Sequence, residues 1–190
     1  EAFNAIGYSI KEPEALHEAI LDSSDFGVPQ KRRRVIIIGI NKKKYNSEVL
    51  EDIYDGLKNI KTSSVRTVKD IIFNYPKIYP VAENKLSQSL RVSHKLSKSI
   101  NSLPDHNPRF HNQRDINIFK DWVAKDMNKL STVDKIKFYN KRTGKISNHN
   151  KYRNLNWNKP SPTVVAHLYK DGLMFIHPDS KQARSITVRE

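Results

Sequence analysis

Four consecutive cations, Lys31-Arg32-Arg33-Arg34, stand between the turn Phe26-Gly27-Val28-Pro29-Gln30 and the apolar run beginning at Val35. Val35 to Ile40 is short, mostly β-branched and apolar, which predicts a strand covered on both faces. Strand side chains alternate, so Arg32 and Arg34 are expected on one face and Arg33 on the other. Two guanidiniums aimed together from the end of a core strand are costly to hold unless an anion lies between them. The chemistry such a pair offers is stabilisation of negative charge. A solvated basic turn is the plainer reading of the four charges alone; the Gly-Val-Pro-Gln lead-in favours a site.

A second set of residues offers contact chemistry. From Lys135 to Lys159 there are eight Lys or Arg and no acidic residue, interleaved with Phe138, Tyr139, Tyr152 and Trp157. Asn140 to Asn150 reads as a flexible loop carrying Thr143, Gly144, Ser147, Asn148, His149 and Asn150. Lys and Arg neutralise phosphates, and Asn, Arg or Ser on a loop can read base edges in a groove. Lys141, Arg142, Lys145, Asn148 and His149 are the leading contact candidates, with Arg153 beside them. Arg109, His111 and Arg114 form a weaker cluster. The competing reading is a surface kept soluble by lysine.

The elements that must position these groups follow from spacing and punctuation. Phe3, Ile6 and Tyr8 read as a helix end running into a strand near Tyr8-Ser9-Ile10, and a short helix is expected near Glu14 to Ile20 with Pro13 in its first turn. Lys42-Lys43-Lys44 reads as solvated charge. Val49, Leu50, Ile53, Leu57 and Ile60 recur at helical spacing, as do Leu96, Ile100 and Leu103. Thr67-Val68-Lys69-Asp70 can cap a short helix through Phe73, and Asp115 to Leu130 is the strongest helix, its Ile116, Phe119, Trp122, Val123, Met127 and Leu130 serving packing. Asn74 to Pro76 and Asn101 to Pro108 read as loops. Thr163 to Leu168 and Leu173 to His177 read as two strands joined through Lys170-Asp171-Gly172. Thr187-Val188-Arg189-Glu190 has the spacing of a capping box.

Composition narrows the partner. The chain has 190 residues and a formal net charge of +14, with a pI near 9.9, which favours a polyanion. It contains no cysteine, so it has no disulfide, no thiolate metal site and no cysteine nucleophile of its own. His167 and His177 lack the carboxylates or cysteines of a metal site, and no Gly-rich phosphate loop, Ser-His-Asp order or His-Glu-x-x-His motif is present. No apolar stretch is long enough to span a bilayer and no secretory leader opens the chain. A soluble, intracellular, nucleic-acid-facing protein with no metal and no membrane partner is expected.

Three blocks carry a resemblance. Phe26 to Gly39 resembles the Pro-Gln-x-Arg-x-Arg motif of the DNA cytosine-5 methyltransferases, the block before their variable target recognition region. Lys159-Pro160-Ser161-Pro162-Thr163-Val164-Val165 is similar to the Pro-Ser-Pro-Thr block after that region, and Arg153-Asn154-Leu155-Asn156-Trp157 resembles its Arg-x-Leu-x-Trp lead-in. His177-Pro178 through Glu190 looks like the segment that re-enters the catalytic lobe. The blocks stand in the family's order, with a long unmatched stretch between the first two.

The resemblance implies an α/β fold: part of a Rossmann-like S-adenosylmethionine-dependent methyltransferase lobe plus a mixed α+β target recognition domain. It implies catalytic-lobe material over 1–44, the recognition domain over 45–150, and the Pro-Ser-Pro-Thr block with the return to the lobe over 151–190. The family attacks carbon 6 of cytosine with a cysteine thiolate and transfers a methyl group from S-adenosylmethionine to carbon 5. The Pro-Cys block, the Phe-x-Gly-x-Gly cofactor loop, the Glu-Asn-Val block and the closing Gly-Asn block are not in this sequence. A piece cut from a longer bacterial or phage modification enzyme, inactive alone and working with the rest of that enzyme on double-stranded DNA, is therefore expected. In the family the second arginine of the motif lies beside the flipped cytosine; that position is Arg34, with Gln30 and Arg32 supporting it and Arg33 in the variable position. Pro160 to Thr163 is expected to organise the recognition region. Two other readings stay open: a transfer-RNA cytosine-5 methyltransferase of the same superfamily, and a non-enzymatic basic nucleic-acid-binding module.

Overall fold

The computed structural model describes residues 2–81, 92–97, 103–165 and 172–190. They divide into two compact units, one of residues 1–67 with 159–163, the other of 68–158 with 164–190. The chain is mixed α/β with short strands.

The first unit is built from paired short strands and two helices, one of them a single turn. Helix α1 (Ala2–Ala5) leads into β1 (Tyr8–Ser9), as the Phe3, Ile6, Tyr8 pattern predicts. The short helix expected near Glu14 to Ile20 is a 3₁₀ turn at Pro13–Ala19, with Ile20 already extended in the next strand; Pro13 stands at its start, where a missing N–H costs nothing. Next come β2 (Ile20–Asp22), a 3₁₀ turn at Ser23–Phe26, β3 (Gln30–Lys31), β4 (Arg33–Val35) and β5 (Ile40–Asn41). Strand β1 pairs antiparallel with β5, and β2 with β4. Helix α2 (Glu48–Asn59) buries Leu50 and Tyr54 against Ala19 and Ile40, with Ile38, Val49 and Leu57 packed alongside. Lys11 fastens the Pro13–Ala19 turn to α2 through ion pairs to Glu18 at 2.8 Å and Glu51 at 2.6 Å.

The expected core strand over Val35 to Ile40 is corrected here. Only Val35 and Ile40 lie in strands; residues 36–39 belong to none, and Val35, Ile36 and Ile37 are 54%, 41% and 49% exposed. Their backbone is satisfied differently. The Ile36 N–H donates to the Ala19 carbonyl at 2.8 Å, while the Tyr54 hydroxyl donates to the Ile36 carbonyl at 3.0 Å and accepts from the Ile38 N–H at 3.3 Å. A side-chain hydroxyl stands where a neighbouring strand's ladder would be.

The second unit holds most of the aromatic core. Helix α3 (Val68–Ile72) is followed by β6 (Ile78–Pro80), β7 (His94–Leu96), α4 (Gln113–Ala124) and α5 (Thr132–Thr143). Leu96, expected on a helix with Ile100 and Leu103, lies in β7, paired antiparallel with β6; Ile100 falls outside the described residues. Helix α4 starts where Asn112 Oδ1 accepts from the Asp115 N–H at 2.9 Å, and stops short of Leu130 because Asp126 takes φ +49 and the chain tightens into a 3₁₀ turn at Met127–Lys129. Ile116, Phe119 and Trp122 do pack, joined by Tyr152 and Ile176. The Trp122 indole N–H donates to Asn128 Oδ1 at 2.9 Å, and Asn128 Nδ2 to the Asn154 carbonyl at 2.9 Å. A second cluster of Val68, Ile72, Leu155, Phe175 and Ile186 lies in the same unit.

The segment expected as a strand at Leu173 to His177 instead opens with a 3₁₀ turn at Gly172–Met174, and Ile176 alone bridges to Asn154 and Ser185. The proposed turn Lys170-Asp171 and His167 lie outside the described residues. Residues 177–190 carry buried polar groups. Arg184 and Glu190, 0% and 1% exposed at their side chains, form a two-pronged pair at 2.6 and 2.7 Å. Thr187 and Glu190 make both bonds of the expected capping box, Thr187 N–H to Glu190 Oε2 at 2.9 Å and Glu190 N–H to Thr187 Oγ1 at 3.3 Å.

Candidate functional site

Strand β8 (Ser161–Pro162) pairs parallel with β3, with Gln30 opposite Ser161 and Lys31 opposite Pro162. The two arginine- and proline-bearing blocks thus meet within one unit although a long stretch of sequence separates them. Two further bonds hold the joint: the Ser161 N–H donates to the Pro29 carbonyl at 2.8 Å, and Thr163 Oγ1 to the Lys31 carbonyl at 2.7 Å. Ser23 Oγ donates to the Gln30 carbonyl at 2.6 Å, which fixes the turn from the other side.

Beside this joint lies an open depression of about 640 Å³ lined by Asp22, Asp25, Lys31, Arg33, Arg34 and Thr163. Arg34 stands in it, its Nη1 donating to the Arg33 carbonyl at 2.7 Å. Arg32 is exposed but does not line it, whereas Arg33 does. The expected sharing of a face by Arg32 and Arg34 assumed one continuous strand. Instead β3 pairs with β8, Arg32 falls between strands, and β4 pairs with β2, placing Arg33 opposite Asp22 and Arg34 opposite Leu21.

Asp22 is the group that sequence reasoning missed. Its Oδ1 accepts from the Ser24 N–H at 3.1 Å, the Ser24 hydroxyl at 2.9 Å and the Arg32 N–H at 3.2 Å. Burial would raise this carboxyl, but those bonds, with the nearby Lys31 charge, outweigh it and hold it below its ordinary value. It therefore stays an anion among the cations. The spacing Asp22-Ser23-Ser24 before a turn is the local signal that would have found it.

The basic region of the second unit is more ordered than its composition predicts. Residues 140–143, expected as loop, are the last turn of α5. Ser131 caps that helix, accepting from the Asp134 N–H at 3.1 Å, and Gly144 ends it at φ +70. Ser-Thr-Val-Asp followed by Gly144 is the signal for this helix. Lys141, Arg142, Lys145, Asn148 and His149 are all exposed. Arg142 is partly engaged with Asp121 at 3.2 Å; among the described residues Lys141 and Lys145 have no ion-pair partner. His149 Nε2 lies 2.6 Å from Lys151 Nζ.

The remaining candidates divide. Arg153 is turned inward: it is half-buried, donates from Nε to the Met174 carbonyl at 3.3 Å and lies over the Phe175 ring. His111 is buried, bonded to Ser185 Oγ at 3.1 Å, and so is unavailable to a nucleic acid. Arg114 is exposed and paired with Asp115 at 3.1 Å. Arg109 is exposed, its guanidinium lying against Gly172, where a Cβ would come within 2.5 Å of Nη1.

Among the described residues no group of three His, Cys, Asp or Glu is placed to hold a metal, and no helix is long and apolar enough to cross a membrane. The side chains lining the depression are carboxylates, cations and Thr163, with no aromatic ring against which the adenine of S-adenosylmethionine could stack, so the cofactor does not fit there.

A family model described as C-5 cytosine-specific DNA methylase matches residues 1–190. The chain is 29% identical over 216 residues to the type II methyltransferase M.Bpa9945I of Bacillus paralicheniformis, a match covering 100% of this chain and 45% of that protein. It is 28% identical over 205 residues to the type II methyltransferase M.DdeI of Desulfomicrobium norvegicum, covering 100% of this chain and 44% of that protein. The chain spans less than half the length of these curated relatives. No solved structure matches it.

Proposed function

The chain belongs to the C-5 cytosine-specific DNA methylase family, and from that premise we propose that it carries the DNA-recognising part of a DNA cytosine-5 methyltransferase, with strips of the Rossmann-like catalytic lobe on either side. Residues 45–150 are its target recognition domain, and 1–44 and 151–190 the flanking lobe segments. The whole enzyme flips a cytosine from duplex DNA, uses S-adenosylmethionine as methyl donor and methylates carbon 5, in a bacterial or phage restriction-modification setting. The names of both relatives support this reading. It works as a monomer in the cytoplasm, at the nucleoid.

Arg34 performs the chemical part borne by this chain. An enzyme acting on a base within a duplex must extrude it into a pocket. A guanidinium there donates to the cytosine ring carbonyl and stabilises the negative charge that builds after attack at carbon 6. The nucleophile is supplied from outside these residues, since the chain has no cysteine, and the chain alone is inactive. Gln30 and Arg32 support Arg34 through the backbone of the turn. Lys141, Arg142, Lys145, Asn148 and His149 face DNA, with Arg109 and Arg114 as flanking phosphate contacts.

The observation that carries the reading is the parallel joint of β3 with β8, which unites the Pro-Gln-x-Arg-x-Arg and Pro-Ser-Pro-Thr blocks beside Arg34. The test is to map methylated cytosines in DNA exposed to the full-length protein, wild type and Arg34→Ala. Methylation of cytosine carbon 5 at one recurring sequence, lost in the variant, is expected. Methylation of transfer RNA alone, or none, would refute it.

A further inference from the structure

Ile146 is 90% exposed, the highest value among the described large apolar side chains. It sits beside Lys145, in the stretch from 135 to 159 that has eight cations and no acid. Solvation alone does not call for an isoleucine there, because burying such a side chain is worth about 2 kcal/mol.

The loop that displays it is pinned on both sides. Thr143 Oγ1 donates to the Tyr139 carbonyl at 2.8 Å and accepts from the Lys145 N–H at 3.2 Å. The Gly144 N–H donates to the Asn140 carbonyl at 2.9 Å. Asn140 Oδ1 accepts from the Ser147 N–H at 3.0 Å, and Ser147 Oγ donates to the His149 carbonyl at 2.8 Å. Ser147, the next residue, is 8% exposed. The backbone therefore holds Ile146 out at a fixed place, between a phosphate-seeking Lys145 and the donor- and acceptor-bearing Asn148 and His149.

The geometry points to Ile146 as a specificity-determining residue that meets the C5-methyl group of a thymine in the major groove of duplex DNA. Thymine's methyl is the one apolar feature on a major-groove base edge, and apolar side chains read it by contact. Cations on both sides along the chain bring the loop to the backbone, which carries no sequence information itself. Ile146 supplies information that they cannot. The inference rests on the reading of this region as DNA-facing.

The test uses the full-length protein and the duplex sequence identified by mapping its methylated cytosines. Each thymine is replaced in turn by deoxyuridine, which removes only the methyl. At one position the wild type is expected to bind about fourfold more weakly, the value of one buried methyl, while Ile146→Ala binds thymine and deoxyuridine duplexes alike. Its melting temperature and salt slope should stay unchanged, since the side chain is solvent-exposed and uncharged. A recognised sequence without thymine, equal loss in both proteins, or a change of oligomeric state in Ile146→Ala would overturn the inference. Absence of salt-sensitive duplex binding in the wild type would instead remove the reading beneath it.

Discussion

Thr163 Oγ1 donates to the carbonyl of Lys31 at 2.7 Å across a sequence separation of 132 residues. The bond lies next to the register pairs Gln30–Ser161 and Lys31–Pro162, so a side-chain hydroxyl extends the backbone joint between the two motif blocks. It also puts Thr163 in the wall of the depression that holds Arg34. The Pro-Ser-Pro-Thr block thus acts on the arginine turn as a clamp.

Thr163→Val keeps the shape and removes the donor. A loss of about 1 kcal/mol in stability is expected, read as a lowered melting temperature. In the full-length protein methylation should fall more than DNA affinity, because the turn carrying Arg34 loosens. Unchanged melting and activity would show that the β3–β8 ladder suffices.

Arg34→Ala in the full-length protein should cut the methylation rate by about 10² or more, the usual effect of losing one donor to developing charge, with DNA affinity changed little. Arg34→Lys should recover part of the rate, since it restores charge without the planar fork. Equal loss of rate and affinity would make Arg34 a docking residue.

Binding of duplex DNA should weaken steeply with salt. Lys145→Ala and Lys141→Ala should each reduce the slope of log affinity against log salt by about 1. Arg142→Ala should reduce it less, since Asp121 already engages that guanidinium. Titration of the three variants at several salt concentrations, monitored by fluorescence anisotropy, decides the matter. Equal slopes in all proteins would remove these residues from the interface.

The second unit should be acid-labile. Burial first of all pushes His94 down to about 4, His111 to about 3 and His177 to about 3 from an ordinary 6.5. An unfolded chain therefore binds more protons than the folded one below about pH 6.5, and stability falls with pH from there. Glu190 adds to the loss: burial opposes its ionisation, but Arg184 outweighs burial and holds it at about 2, so its contribution is full above 4.5 and wanes below. Melting temperatures should drop progressively from about pH 7 to about pH 4. A flat profile would mean these groups are solvated.

Arg184→Met should destabilise the second unit by about 3–5 kcal/mol, because it strands the Glu190 carboxylate in a dry site. Arg184→Met with Glu190→Leu should be less harmful than the single change. Chemical denaturation of both variants tests this; a milder single variant would mean that water reaches Glu190.

Elements whose cause is local were legible in the sequence. Helix α2 came from apolar spacing, α3 and the Thr187–Glu190 box from capping residues, and the Pro13 turn from proline's fixed φ. The family came from short blocks whose residue types are themselves the signal. Helix α5 was also locally encoded, by Ser131, Asp134 and Gly144, but the density of charge masked it.

What depends on a partner far along the chain could not be read that way. Val35 to Ile37 look like core, yet whether a strand is covered depends on what packs over it, and here the Tyr54 hydroxyl takes the Ile36 carbonyl and the Ile38 N–H instead. His111 and Arg153 resemble surface readers by type, and only tertiary packing turned them inward. Which arginines stand together was decided the same way. Residue types alone determined that the turn is basic, and the resemblance of three short motif blocks pointed to the family that the family model then matched. The change of pairing partner from β8 to β2 across Arg32 decided that Arg33 and Arg34 share the depression, because strand register is set by contacts that sequence separation hides.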